Sequence, residues 1–289
     1  MLAAYETLHT IHTGMKDKKG YMAVKLHMSK AYDWKEWEFL EAMMEQMGFN
    51  RRWIDLIMCV RSVKYSIVVN GIPCGLITPS RGICQGYPIS PYFFILCAEA
   101  LSAMISQANR DGRLMGVPTS RGGLVISHLF FADDRLLFCR STMTQWNHLS
   151  AILHLYKGAS RQKMNSNKTA IFFSKNSAVI DKDQIQGVAR IPVDQRYDTY
   201  LGLPALVGRS RIRAFRSIKD KVWKRLQDWK LTFLSQTGKE IQLKAVVQAI
   251  PTYCISVFKL PKTLCTELNS LMMRFFWVHK EKEKKGYIG

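Results

Sequence analysis

The sequence predicts a mixed α+β fold built on a central antiparallel sheet. Three observations lead there. Two apolar runs flank an acid pair in His128-Leu-Phe-Phe-Ala-Asp-Asp-Arg-Leu-Leu-Phe138. The dipeptide Asn70-Gly71 joins Tyr65-Ser-Ile-Val-Val69 to Ile72 through Ile77. Several other stretches carry apolar residues at helical spacing. With 289 residues, 47% of them hydrophobic, the chain can fill one large core or two small ones.

Taken in order, a short helix-like lead, Tyr5 to Met15, precedes a strand from Tyr21 to Leu26. A helix from about Trp34 to Met47 follows, with Trp37, Leu40, Met44 and Met47 on one face, a capping box of Asp33 and Glu36 at its start and Gly48 at its stop. A second helix begins after Asn50 and presents Trp53, Ile57 and Val60. Asn-Gly is the residue pair that a two-residue hairpin turn favours, so residues 65–77 read as a hairpin. Ser90 as N-cap and Pro91 at the first helical position open a helix carrying Phe93, Cys97, Leu101, Met104 and Ala108 on one side. The run 128–138 reads as a buried hairpin with carboxylates at its bend. After it come a helix from Gln145 to Tyr156 and a short strand from Ala170 to Phe173. A basic helical portion closes the chain, with Ile212, Phe215, Val222, Leu226 and Trp229 as its apolar stripe.

Charge divides the chain unevenly. Lys and Arg number 42 against 22 Asp and Glu, a formal +20 with an isoelectric point near 9.8. Residues 1–60 are electrically balanced, so the excess lies in residues 61–289; from Tyr200 onward 18 basic residues face six acidic ones, a net +12. That excludes an acidic enzyme and points to a polyanion, nucleic acid before membrane. The best apolar run, Tyr92 to Ala98, is stopped by Glu99, and no uncharged stretch approaches the roughly 18 residues of a spanning helix. The seven cysteines, widely spaced and odd in number, suit small buried apolar residues in a reducing compartment rather than a zinc site. An intracellular protein, nuclear or cytoplasmic, is expected.

Asp133-Asp134 carries most of the chemistry. Two carboxylates between Leu-Phe-Phe and Leu-Leu-Phe repel each other and lose hydration, so they need a cation unless one is protonated. Mg²⁺, a hard ion that takes oxygen ligands, suits such a pair, and in two-metal phosphoryl transfer acids of this kind hold the metals at the attacking and leaving oxygens.

Six motifs in order then make the chain resemble the reverse transcriptase domain of plant LINE-type non-LTR retrotransposons. Phe130-Phe-Ala-Asp-Asp134 is similar to the metal-binding palm hairpin, and Lys25-Leu-His-Met-Ser-Lys-Ala-Tyr-Asp-Trp-Lys-Glu-Trp37 to the first palm strand with its helix. Ser80-Arg-Gly-Ile-Cys-Gln-Gly-Tyr-Pro-Ile-Ser-Pro91 resembles the loop and helix that hold template and nucleotide. Gln162-Lys-Met-Asn-Ser-Asn-Lys168 resembles the next palm motif, Tyr200-Leu-Gly-Leu-Pro204 the segment near the primer grip, and Leu234 to Glu240 with Lys244 to Tyr253 the thumb-side region. The resemblance implies a right-hand polymerase palm, an antiparallel sheet packed on helices, with partial fingers and a helical thumb-side segment. The expected division is 1–175 for palm and partial fingers and 176–289 for the basic, mainly helical region, with a soft boundary between Ser174 and Tyr197.

It also implies roles. Asp133 and Asp134 would be catalytic, holding Mg²⁺ or Mn²⁺. Lys168 would stand near the leaving pyrophosphate, although a lone lysine is also an ordinary solvated group. Tyr32 would gate the ribose or cap the sheet as a core aromatic, while Arg81, Gln85 and Gly86 would approach nucleotide and template. The implied partners are an RNA template, a DNA primer and dNTPs, with no membrane. The family departures are specific. His27 stands where the first palm strand carries a metal-bridging Asp, Cys84 and Tyr87 replace two charged residues of the nucleotide loop, Arg161 replaces a Gly, and Trp34 an Arg. The pocket of His27, Asp133 and Asp134 has two open readings: an imidazole-containing metal site shifted toward Zn²⁺ or Mn²⁺, or an ion pair of His27 with Asp133 and no metal. By descent this is an RNA-directed DNA polymerase domain with impaired chemistry; the alternative is a catalytically dead nucleic-acid-binding remnant.

Overall fold

The computed structural model describes residues 2–13, 20–29, 36–82, 88–120, 122–193, 199–204, 211–230 and 234–277. It divides into two compact units: Glu6–Arg196, and Tyr197–Gly289 joined by Met1–Tyr5.

In the larger unit, helix α1 (Leu2–Thr13) leads to strand β1 (Tyr21–Ser29), longer than periodicity alone indicates, so that His27 lies within it. Helices α2 (Trp37–Gln46) and α3 (Arg51–Met58) follow, then the hairpin β2 (Tyr65–Val69) and β3 (Ile72–Ile77), and the long helix α4 (Ser90–Arg110). A small ribbon, β4 (Val117–Pro118) with β5 (Val125–Ile126), precedes the hairpin β6 (His128–Phe131) and β7 (Asp134–Arg140). Helix α5 (Met143–Ser160), strands β8 (Lys163–Met164) and β9 (Ala170–Phe173), and helix α6 (Val179–Ala189) complete the unit.

The sheet has the order β6-β7-β1-β8, with β9 also pairing β1, every pairing antiparallel. Strand β1 is its spine and is buried almost throughout, because Met22, Val24, Leu26 and Met28 enter a core shared with Leu101, Ile105, Leu137, Leu149 and Ile171. That core holds Phe94 and Ala108 of α4, Trp146 and Tyr156 of α5 and Ile185 of α6, so the helices cover the sheet, and the unit runs past residue 175. Beside it, Trp37, Leu40 and Met44 of α2 meet Ile54 and Met58 of α3 and Phe93 and Cys97 of α4. Gly48 ends the α2 segment in the left-handed conformation glycine permits.

Several expectations are corrected. Helix α2 starts at Trp37, so Glu36 is itself the N-cap, without a side-chain capping bond, instead of the third residue of a capping box; Asp33 and Trp34 lie outside the described residues. Met47 of that face is exposed. In α3 the buried face is Ile54 and Met58, and Trp53 is 60% exposed, because α2 and α4 receive the other side of this eight-residue helix. Ser90 is the first helical residue of α4, after Ile89 as N-cap. At 21 residues α4 is long and apolar enough to cross a membrane, against the sequence expectation, yet Phe93, Phe94, Cys97, Leu101 and Ile105 are spent on the core. In the 128–138 hairpin Arg135 to Phe138 of β7 are buried, whereas Asp134 and the β6 residues His128 to Phe130 are partly so and Phe131 is exposed. Cys97, Cys139 and Cys254 are buried as expected, and burial pushes the Cys139 thiol up to about 12. Cys59, Cys74 and Cys265 are exposed, and Cys84 lies outside the described residues.

In the smaller unit, β10 (Thr199–Tyr200) pairs β11 (Leu203–Pro204), and helices α7 (Arg211–Ala214), α8 (Arg216–Lys230), α9 (Gln236–Gln242), α10 (Ala249–Ile255) and α11 (Lys262–Trp277) follow. Phe215, Ile218, Val222 and Leu226 form the buried stripe of α8 and its approach, packed on Val247, Leu264, Leu268 and Phe275. Ile212, assigned to that stripe by spacing, is exposed: it belongs to the separate turn α7 and loses register with α8. Arg216, Lys221, Lys224 and Arg225 of α8 are exposed, while Lys219 pairs with Glu267 at 2.7 Å.

Candidate active site

The acid pair sits at the tip of the β6–β7 hairpin. Phe131 pairs Asp134 across the turn, and Ala132 adopts the left-handed conformation at φ 49°, which lets two residues reverse the chain. The same tip is tied to the spine strand. His27 stands opposite Asp134 in the β1–β7 register, and the Met28 amide donates to the Asp133 carbonyl at 3.3 Å. On the other side of β1 the Asn165 amide donates to the His27 carbonyl at 2.8 Å. His27 is thus held by backbone bonds on both flanks.

This brings three side chains together. His27 Nε2 lies 3.4 Å from Asp133 Oδ2, and His27 Nδ1 lies 3.4 Å from Asp134 Oδ1. The imidazole is 18% exposed, Asp134 22% and Asp133 49%, so the ring lies deeper than the acid at the hairpin tip. Each carboxylate therefore faces one ring nitrogen.

The other expected site residues are less converged. Lys168 closes the turn after β8, its amide donating to the Asn165 carbonyl at 3.2 Å, and its side chain is exposed. Arg81 turns its Nη1 toward Glu36 Oε1 at 3.5 Å, and Arg161 Nη1 approaches the same oxygen at 3.9 Å. Trp37 Nε1 donates to the Gly82 carbonyl at 2.8 Å, fastening the chain after Arg81 to the start of α2. Tyr32, Gln85 and Gly86, with Cys84 and Tyr87, lie outside the described residues.

Sequence reading missed two features. Glu36 gathers Arg81 and Arg161; its helix-start position signalled a cap and hid that role. Arg135, next to Asp134, is fully buried, and among the described residues its guanidinium nitrogens find no well-aligned hydrogen-bond acceptor; it lies near Phe130, Tyr156 and Phe94 at 5.2, 5.5 and 5.9 Å. Period-two alternation with Leu137 and Cys139, both buried, was the available signal.

An antiparallel sheet backed by helices, with two carboxylates on the hairpin beside its central strand, defines a polymerase palm. The chain belongs to the reverse transcriptase (RNA-dependent DNA polymerase) family, whose model matches residues 2–237, and it is a reverse transcriptase domain of retroelement origin. It is 54% identical over 67 residues to an uncharacterised mitochondrial protein of Arabidopsis thaliana, a match covering 23% of this chain and 55% of that protein. An Arabidopsis thaliana protein whose name assigns it to ribonuclease H is 28% identical over 86 residues, 30% of this chain and 14% of its own length. The chain thus spans about half or less of these relatives. Telomerase from Candida albicans, solved with a fragment of telomeric RNA, aligns over 95% of this chain and 46% of its own at 12% identity and a TM-score of 0.43.

The family uses divalent metal ions. The residues present here do not fit a pair of them: the ring of His27 stands between the two carboxylates, and among the described residues no group of three or more His, Cys, Asp or Glu is arranged to hold an ion.

Proposed function

We propose that this domain descends from an RNA-directed DNA polymerase and retains the binding of RNA template and primer, while its transfer of deoxynucleotides to a primer 3′-hydroxyl is impaired. The observation that carries the reading is the register of β1 against β7, which sets His27 opposite Asp134 at the position where the family resemblance implies a carboxylate. Phosphoryl transfer of this class depends on positioning and neutralisation of developing charge. An imidazole in place of a shared carboxylate removes part of that neutralisation, and each tenfold loss of rate corresponds to about 1.4 kcal/mol of barrier.

Binding has separate support. The exposed cations of α8 and the net +12 from Tyr200 onward suit a phosphate backbone. Cations that contact phosphates carry no sequence information, so little sequence preference is expected.

The test pairs two measurements on the unmodified chain. Primer extension on an RNA template with Mg²⁺ or Mn²⁺ is expected to match the Asp133→Ala background. Affinity for single-stranded RNA is expected to fall with salt at a log–log slope of about −0.7 per phosphate contact. Processive extension overturns the impaired chemistry; salt-independent affinity, or none at low salt, overturns the binding.

A further inference from the structure

We infer that the ring of His27 occupies the place of the ion in this palm: it stands between Asp133 and Asp134 and closes the hairpin tip to a divalent ion. The inference rests on the palm reading above, and it fails separately from it, because ion binding is measured without nucleic acid or turnover.

The geometry is specific. One ring presents Nε2 to Asp133 and Nδ1 to Asp134 at the same 3.4 Å. A ring set between the two carboxylates in this way fills the gap that an ion shared by them would need. A neutral ring acting as a metal ligand would turn one nitrogen's lone pair toward the ion and leave the carboxylates on the ion's far sides.

The backbone leaves His27 little room to withdraw. Its strand is paired on both edges, the Asn165 amide is bonded to its carbonyl, and the following residue is bonded to Asp133. A metal bridging both acids would have to displace the ring from the space it occupies. The substitution then does more than delete a ligand: it supplies a competitor for the ion.

Mn²⁺ titration followed by electron paramagnetic resonance on the full chain tests this. The unmodified protein and Asp133→Ala are expected to take up Mn²⁺ equally weakly. His27→Asp is expected to bind it tighter by about tenfold or more, the scale on which changes around a metal are felt, and the double variant with Asp133→Ala is expected to lose that gain. Circular dichroism reports whether each variant folds. Should His27→Asp not fold, His27→Asn, neutral and close in shape, serves instead and is expected to gain Mn²⁺ affinity more modestly. Two results overturn the inference: Mn²⁺ or Zn²⁺ bound by the unmodified chain and lost in Asp133→Ala, or folded His27 variants that bind Mn²⁺ no better than the original.

Discussion

Two hairpins of this chain have nearly the same design and opposite fates. Both are antiparallel, both are rich in apolar residues, mainly Val and Ile in the first and Leu and Phe in the second, and both turn through a left-handed residue, Asn70 with Gly71 in one and Ala132 in the other. Every residue of β2 and β3 is exposed, whereas Arg135 through Cys139 of β7 are all buried. Composition does not separate them; neighbours do. Strand β7 is clasped between β6 and β1 and covered by helices, while β2 and β3 pair only with each other among the described strands, with a register irregularity between Tyr65 and Ile67. A hairpin holding its register by the turn alone is the weaker kind.

The comparison breaks first under truncation of matched aliphatic residues. Leu137→Ala in β7, 1% exposed and part of the main core, is expected to cost about 2–5 kcal/mol of unfolding free energy. Val68→Ala in β2, 64% exposed, is expected to change it by about 0.5 kcal/mol or less. Urea denaturation of both variants decides it; equal losses would mean that β2 is covered in solution.

The buried hairpin also contains its own weakness. Arg135 carries a charge into the core with no carboxylate ion-paired to it among the described residues, set against the faces of Phe94 and Phe130 and close to Tyr156, ring and hydroxyl. Cation–π contacts are worth about 2 kcal/mol when desolvated, against several for removing an ion from water. Arg135→Met, which fills similar space without the charge, is therefore expected to raise stability by about 1–4 kcal/mol in the same assay. A loss would show that an acceptor reaches the guanidinium.

These features mark the limits of reading from sequence. The hairpin at Asn70-Gly71, the acid pair at a bend and the helix caps at Asn50 and Gly48 were legible because local chemistry fixes them. Which side of α3 faces inward was not, since Trp53 and Ile54 compete on one short helix and only α2 and α4 decide between them. At the site, the substitution at His27 was visible, but the simultaneous contact with both acids depends on a register between residues 107 positions apart. Glu36 was misread because helix propensity says where a carboxylate can cap and nothing about two arginines arriving from residues 81 and 161.

Turn residues sharpen the comparison at a smaller scale. Gly71 sits at φ 83° with open space where a Cβ would go, so Gly71→Ala tests conformation alone. A left-handed non-glycine residue costs about 1–2 kcal/mol, and the loss is expected as faster amide exchange confined to β2 and β3. Arg161 is the converse: it ends α5 at φ 51°, the position where the family resemblance has glycine. Arg161→Gly is expected to gain about 0.5–1 kcal/mol, because the 3.9 Å pairing with Glu36 is exposed on the arginine side and worth little. Faster exchange throughout the palm on Gly71→Ala would show that the two hairpins are energetically coupled.

The smallest expected effect lies on β6, the partly buried strand of the palm hairpin. His128 accompanies Glu99 and Ser102 in a cleft of about 510 Å³ between α4 and β6. Its Nε2 lies 3.0 Å from Ser102 Oγ and its Nδ1 3.0 Å from Ser127 Oγ, hydroxyls that can serve a neutral ring as donor on one side and acceptor on the other. Burial lowers its pKa from the ordinary 6.5. The unfolded chain then takes up the proton first, so the stability associated with His128 is complete above about 6.5 and is lost as pH falls through the lower folded value. His12 is shifted the same way, by burial first and then by Lys175 and His9, so it contributes to the same acid slope. Subtraction isolates His128: the difference in unfolding free energy between the original chain and His128→Gln should shrink as pH drops from 7.5 to 5. A difference that stays constant would mean that burial does not disfavour the charged ring, and one that grows toward acid that the folded protein prefers it, with Glu99 of the same cleft as the group to test.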